Sequence, residues 1–210
     1  MKFWGAAAFA LTMLAVPASA TTTFAQFEQV DGGPQTIAFG GGVLTDTGGL
    51  LGSLVLFNFL DVMPAGVNGQ VEAYMTVEAS GSPFDGTISF HRVSDMTNLL
   101  TLHFTNATLA GAGGSGALFG TQPGGGTVAY TSDYLDFTGQ TAGDFAVGLS
   151  GITPGFSAAV WTADSVGTFA SDSANGGNGV PEPATWAMMI IGFGGVGALM
   201  RRRRTLAFSV

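Results

Sequence analysis

The chain contains few residues able to perform acid–base or nucleophilic chemistry. It has two histidines, His91 and His103, and no cysteine. A hydrolytic triad would need one histidine as base beside a serine and an acid, for example Ser115, His103 and Asp133. Nothing in their spacing selects that set, and the Gly-x-Ser-x-Gly nucleophile elbow is absent because the stretch Gly113–Ala117 ends in alanine. We therefore expect no catalytic residues and no cofactor, and we keep as an alternative a secreted hydrolase that uses His91 or His103 as base.

Carboxylates in loop-like settings offer a second kind of chemistry, the binding of Ca²⁺ through oxygen ligands. The candidates are Asp31, Asp46, Asp133 and Asp136. No Asp-x-Asp-x-Asp-Gly loop accompanies them, so we favour a solvated acidic surface and predict no metal site. A calcium-binding module remains an alternative.

Aromatic and glycine-rich stretches suggest two further ligands. Trp161, Tyr130 and Tyr134 could form a stacking platform for sugars, although such residues more often fill a core, and the periodicity favours a core position for Trp161. The stretches 111–116 and 192–197 match the Gly-x-Gly-x-x-Gly pattern of dinucleotide-binding loops. Neither has the strand–turn–helix context that would direct a helix N-terminus at phosphate, so we do not predict nucleotide binding.

Charge and composition limit both the fold and the partners. Of the 210 residues, 34 are Gly and only 10% are charged, against a typical charged fraction of about 25%. All but one of the 14 acidic residues precede residue 180, and Arg92 is the one basic residue between 21 and 179. Such a surface repels nucleic acid, whose affinity comes mainly from Lys and Arg. Rich in turn-forming residues and poor in charge, the chain is typical of an all-β protein.

Alternating and continuous apolar stretches predict the strands of one body, residues 21–170. In residues 70–78, Val71, Ala73, Met75 and Val77 share one face, and in residues 99–109, Leu100, Leu102 and Phe104 share another. Such half-buried strands predict an antiparallel β-sandwich, jelly-roll-like, with a β-solenoid disfavoured because no fixed repeat is present. The predicted strands cover residues 49–60, 70–78, 86–93, 99–109, 127–131, 144–151, 157–163 and 166–170. Residues 111–126 are predicted to form a long loop, and 171–179 a flexible linker.

The first 20 residues have the order of a secretory signal peptide. Lys2 precedes an uncharged apolar stretch that runs to Val16, and Pro17 is followed by Ala18, Ser19 and Ala20. The small residues Ala18 and Ala20 form an Ala-x-Ala site, which predicts cleavage by signal peptidase before Thr21. We therefore expect export by the general secretion machinery.

The C-terminal segment combines an apolar run with a cluster of positive charge. Residues 184–200 contain no charge and would form a helix of about 26 Å, close to the hydrocarbon thickness of a bilayer. Arg201, Arg202, Arg203 and Arg204 follow directly and predict a stop-transfer signal that stays on the cytoplasmic side. The expected topology has the body outside the inner membrane, a transmembrane span at 184–200 and a cytoplasmic tail at 205–210. A permanent anchor would need no rigid Pro-Glu-Pro element before the span.

This segment resembles the PEP-CTERM sorting signal of Gram-negative bacteria, in its PEPxxWA form. The residues that carry the resemblance are Pro181, Glu182, Pro183, Trp186 and Ala187, followed by the Gly-rich apolar run and the arginines. Together they make residues 180–204 the sorting signal. The resemblance implies cleavage near the Pro-Glu-Pro element by an exosortase, a membrane cysteine transpeptidase. It also implies a protein of the cell surface or extracellular matrix, with exopolysaccharide or biofilm as its setting, and we expect this protein to be non-enzymatic. The alternatives are the hydrolase or a Ca²⁺- or carbohydrate-binding module exported by the same route.

Overall fold

The structure is a computed structural model that describes residues 21–60, 64 and 66–173. The predicted signal peptide, linker residues 174–179 and the C-terminal segment lie outside this range. Within it, the chain is all-β with one short 3₁₀ turn at Gly49–Leu51. The strands are β1 (Thr22–Gln29), β2 (Ile37–Gly40), β3 (Val43–Asp46), β4 (Ser53–Phe59), β5 (Val71–Gly81), β6 (Phe84–Arg92), β7 (Asn98–Ala112), β8 (Ser115–Gln122), β9 (Val128–Thr131), β10 (Gly143–Thr153) and β11 (Val160–Ser171).

All strand pairs are antiparallel, and the pairing closes into a ring. Following hydrogen-bonded neighbours, the order is β1-β4-β5-β6-β7-β8-β10-β11, and β11 pairs again with β1. The hairpin of β2 and β3 joins β11 to β5 at one end of the molecule, and β9 pairs with β7. The predicted antiparallel all-β class is confirmed. A sandwich predicts two separate sheets, whereas here β1 hydrogen-bonds to both β4 and β11, so one closed sheet encloses the core.

The predicted faces of two strands are confirmed. In β5, Ala73, Met75 and Val77 are buried while Glu72 and Glu78 are exposed. In β7, Leu100, Leu102 and Phe104 are buried, whereas Thr101, His103 and Thr105 lie on the outer face. The alternation works here because each strand has one face on the core and one in water.

Four strands were not predicted: β1, β2, β3 and β8. The prediction of a loop at 111–126 is wrong, because residues 115–122 form β8 between β7 and β10. Aromatic rings occupy the space beside two of its glycines. A Cβ on Gly116 would lie 2.9 Å from the Phe156 ring, and one on Gly120 would lie 2.6 Å from the Phe145 ring. The two strands predicted at 157–163 and 166–170 are a single strand, β11. Ser165 at its centre is buried and hydrogen-bonded to Thr36 at 2.7 Å.

The core is dominated by aromatic side chains from several strands. Phe90 packs against Phe27, Phe57 and Phe169 with ring centroids 5.0 to 5.5 Å apart. These rings come from β1, β4, β6 and β11, so the cluster ties together strands far apart in sequence. Burial of so much aromatic surface is the main favourable contribution to folding, and the chain achieves it without disulfides.

Strand β9 is the one strand, among those described, with a single strand partner. Its other edge is occupied by glutamine side chains. The Gln140 amide accepts a hydrogen bond from the Tyr130 N–H and donates to the Val128 carbonyl, and Gln122 accepts from the Val128 N–H. The side chains therefore satisfy backbone groups that a neighbouring strand would otherwise pair.

Candidate functional site

A groove of about 380 Å³ crosses the outer face of the sheet over β4, β1, β11 and β10. The strand register aligns its side chains in two rows. In the first row, Asn58 lies opposite Gln26, Gln26 opposite Thr168, and Thr168 opposite Ala146. The next residue along this line is Phe119 of β8, opposite Ala146, with 44% of its surface exposed. We call Asn58, Gln26, Thr168, Ala146 and Phe119 the polar row, because its first three members carry amides or a hydroxyl.

The second row runs parallel to the first, two residues further along each strand. Leu56 lies opposite Glu28, Glu28 opposite Val166, and Val166 opposite Gly148. Val166 is 54% exposed. Gly148 has no side chain, so the groove is deeper at that point. We call Leu56, Glu28, Val166 and Gly148 the apolar row, after the side chains of Leu56 and Val166. Its one charged member is Glu28, whose carboxylate accepts a hydrogen bond of 2.5 Å from the Gln70 amide.

An acidic concavity continues from the apolar row. It shares Glu28 and Val166 with the groove and is also lined by Asp31 and Asp164. The single ion pair among the described residues lies elsewhere, between Arg92 and Asp95 at 3.6 Å. The groove and its surroundings therefore have negative potential.

The candidate triad residues are not brought together. His103 lies on the outer face of β7, where its Nδ1 is 2.9 Å from the Thr87 hydroxyl. Ser115 pairs with Ala112, nine residues or about 30 Å of extended strand from His103. Asp133 lies at the other end of β7, where its carboxylate accepts a hydrogen bond from the Asn98 N–H. No arrangement of nucleophile, base and orienting acid results from these positions.

Three of the four candidate calcium ligands are hydrogen-bonded to backbone N–H groups. Asp46 accepts from Gly48, Asp133 from Asn98, and Asp136 from Thr138 at 2.8 Å. Hydrogen bonds from the Thr138 side chain and backbone hold the pKa of Asp136 below its usual value. Asp31 lies in the acidic concavity. Among the described residues, no three Asp, Glu or His side chains are grouped so as to hold a metal ion.

The aromatic candidates belong to the core. Trp161 is 2% exposed, as the periodicity predicts, and is stacked between Phe39 and Phe156. Tyr130 is buried and its hydroxyl donates to the Asp144 carbonyl; burial raises the pKa of this phenol above its ordinary value. Tyr134 packs against the core and contacts Phe59. Trp161 and Tyr130 therefore offer no open ring face for a sugar, and Tyr134 is partly buried.

The glycine-rich stretch 111–116 is the turn between β7 and β8, two antiparallel strands. A dinucleotide loop is followed by a helix, whereas this stretch is followed by strand β8. The second such stretch, 192–197, lies outside the described residues.

Most of the predicted sorting residues also lie outside the described part of the chain. These are Ala18, Ala20, Pro181, Glu182, Pro183, Trp186, Ala187 and the arginines 201–204. Thr21, the predicted first residue after signal-peptide cleavage, is described, and its hydroxyl donates to Asp144 at 2.7 Å. Within residues 21–60, 64 and 66–173 there is no helix with the length and apolarity to cross a membrane.

The groove is the feature that the sequence analysis missed. Its members come from four strands and from Gln70, and each alone looks like an ordinary exposed residue of an alternating strand. Only the register between β4, β1, β11 and β10 brings them together, and no local spacing encodes that register.

Comparison with known proteins finds a family match for the C-terminal segment. Residues 179–204 match the family model of the PEP-CTERM protein-sorting motif. No curated protein and no solved structure matches the chain significantly. The segment recognised from Pro181, Glu182, Pro183, Trp186 and the arginines is therefore confirmed as this motif.

Proposed function

Because residues 179–204 are a PEP-CTERM sorting motif, we propose that the body is a non-enzymatic component of the cell surface or extracellular matrix of a Gram-negative bacterium. The motif makes this an exported protein that an exosortase sorts. The finer steps are part of the proposal. A signal peptide ending at Ala20 starts translocation, the segment 184–200 spans the inner membrane as a helix, and Arg201 to Arg204 stay in the cytoplasm. The exosortase then cleaves near Pro181, and the body joins exopolysaccharide or biofilm outside the cell.

The sorting motif is the observation that carries this proposal. The form of the body supports it, because residues 21–173 make a closed sheet with a core of its own, so the body needs no contact with the sorting segment to bury its apolar residues. The separation of Ser115, His103 and Asp133 gives no support to the alternative of a hydrolase. The acidic surface suits a secreted protein that must stay soluble.

Intact mass spectrometry of the protein recovered from its host, beside a strain that lacks the exosortase, tests the proposal. We expect a chain that begins at Thr21 and ends near Pro181 in the parent strain, and one that retains Trp186 and the residues after it in the mutant. A Glu182→Gln variant should also keep its tail. A Glu78→Gln variant, which removes the same charge from an exposed position of β5, should be processed normally.

The opposite result is equally clear. If Trp186–Val210 stays attached in both strains, the segment is a permanent anchor and the body is tethered to the inner membrane. If the tail is removed but the body is recovered from the periplasm and not from the surface or matrix fraction, the proposed destination is wrong.

A further inference from the structure

We propose that the groove over β4, β1, β11 and β10 binds an uncharged glycan chain. Sugar hydroxyls would hydrogen-bond to the polar row, and the C–H faces of the sugar rings would pack on the apolar row and on Phe119. The proposal deepens the proposed function and rests on it in one respect, that the exported body reaches a place where glycans are present. The choice of this surface rests only on the residues of the described body.

The polar row presents unused hydrogen-bonding groups. The side chains of Gln26, Asn58 and Thr168 make no hydrogen bond to any described residue, in contrast to Gln122 and Gln140, which pair with the backbone. Each amide offers both donors and an acceptor, and the threonine hydroxyl offers one donor and two lone pairs. Sugar hydroxyls likewise donate and accept, so a glycan can satisfy these groups where a purely apolar ligand would leave them unpaired.

The pairing of a polar row with an apolar row matches the two kinds of surface on a sugar ring. A pyranose has a hydroxyl-bearing edge and a C–H face, and the rows lie side by side along one line. Leu56 and Val166 provide apolar contact on either side of Glu28, Gly148 leaves room beyond Val166, and Phe119 provides an exposed ring at the end of the polar row. From Asn58 to Phe119 the row spans four strand intervals, about 19 Å, so it suits a chain of several sugars. The groove volume of about 380 Å³ lies within the range of ligand sites.

Charge decides which glycan fits. Glu28 lies in the groove, and Asp31 and Asp164 line the adjoining concavity. The one basic side chain of the described body, Arg92, is paired with Asp95. Uronate, sulfate or phosphate groups would be repelled and would find no cation to pair with. A peptide is also a poor fit, because the groove crosses strands whose edges are already paired and so cannot add a strand.

Binding by the exported protein isolated from its host tests the inference. The probes are oligosaccharides of glucose, mannose, galactose and N-acetylglucosamine, with an oligomer of galacturonic acid as the charged probe, measured by titration calorimetry. We expect at least one uncharged probe to bind and galacturonate not to bind. An Ala146→Trp substitution, which fills the polar row between Thr168 and Phe119, should weaken binding at least about tenfold. Ala129→Trp adds the same side chain at an exposed position of β9, outside the groove, and should leave binding unchanged.

A second variant keeps the inference testable if Ala146→Trp misfolds. Gln26→Ala and Asn58→Ala together remove one exposed and one half-buried amide without adding bulk, and should also weaken binding while the thermal midpoint stays near that of the parent. The inference is overturned if no uncharged probe binds, if galacturonate binds as tightly, or if Ala129→Trp weakens binding as much as Ala146→Trp. If no glycan binds, the mass measurement still shows whether the tail is removed. If the tail is retained, the titration still shows whether the groove binds a glycan. The two proposals therefore fail separately.

Discussion

Several aspartates of the body act as acceptors for N–H groups at turns and chain ends. Hydrogen bonds from the Thr97 side chain and backbone lower the pKa of Asp95, and Thr138 does the same for Asp136. Asp172 holds the chain where it leaves β11. Its carboxylate accepts from the Thr141 N–H at 3.1 Å and from the Thr141 hydroxyl at 2.5 Å. This contact fixes to the body the second residue of the linker that was predicted at 171–179.

The charge of Asp172 should make a pH-dependent contribution to stability. Partial burial opposes its ionisation, but hydrogen bonds from Thr141 and Ala142 outweigh this and lower its pKa. Because the folded pKa lies below the unfolded value of about 3.9, the contribution is present above that pH and is lost as pH falls through the folded pKa. We expect Asp172→Asn to lower the unfolding free energy at pH 7 by less than about 1 kcal/mol, since the group is only partly buried and water screens its charge. The difference from the parent should shrink below pH 4.

Urea denaturation at pH 7, 4 and 3 measures this difference. Asp31→Asn is the control, because the Asp31 carboxylate accepts no hydrogen bond from the described residues, and it should change stability little at any pH. A constant difference between Asp172→Asn and the parent across the three pH values would contradict the charge-based explanation.

At the scale of the elements, glycines let the strands approach core rings closely. A Cβ at Gly167 of β11 would lie 2.4 Å from Cε1 of Phe27. That ring has little room to move, since it contacts both Phe90 and Phe169. Gly148 of β10 faces the outer groove, and its added Cβ would meet only Val166, at 3.5 Å or more. Two glycines in neighbouring strands thus have different roles, one in packing and one on the surface.

We expect Gly167→Ala to destabilise the body by about 1–3 kcal/mol, the usual effect of overpacking a core. Gly148→Ala should be within about 0.5 kcal/mol of the parent, because the methyl group enters solvent-facing space. Urea midpoints of the two variants at neutral pH provide the comparison. Equal losses in both would show that backbone conformation, not the Phe27 contact, requires glycine at these positions.

The elements also show which parts of the fold the sequence predicts. Long alternating strands such as β5 and β7 are identified with the correct faces, because burial on one side imposes a period of two. Strand β8 was not predicted because of its glycines. The rings of Phe145 and Phe156 occupy the space where side chains at these glycines would lie. β11 looks like two strands because Asp164 and Ser165 interrupt its apolar pattern, yet Ser165 is satisfied by Thr36. The groove could not be predicted, since it depends on register between distant strands, whereas the sorting motif is a local segment and the match at residues 179–204 confirms it.

For the whole molecule, closure of the sheet depends on its last strand. β11 pairs with β10 on one side and with both β1 and β2 on the other, and it carries Trp161 and Phe169 into the core. The first pair of the ring joins Thr22 to Ser171, so the two ends of the body lie side by side. Pairing between strands so distant in sequence slows folding, because the entropy of closing long loops is lost before the contacts form.

A pair of truncations tests this dependence. A chain of residues 21–173 should unfold in one cooperative thermal transition, because every described strand retains its partners. A chain of residues 21–159 should show no such transition, since β1, β2 and β10 each lose a neighbour and the core loses two large rings. Near-ultraviolet circular dichroism, which reports packed aromatic side chains, distinguishes the two. Cooperative melting of the shorter chain would contradict the importance assigned to β11.

The glutamine side chains along β9 affect how copies of the exported protein can associate. An unpaired strand edge is where a second copy can add, and repeated addition leads to fibres. Gln122 and Gln140 occupy that edge of β9, while ring closure pairs the others in the described body. Copies of the described body are thus shielded from polymerising through these strand edges. Contacts between such copies would use side chains, which associate reversibly.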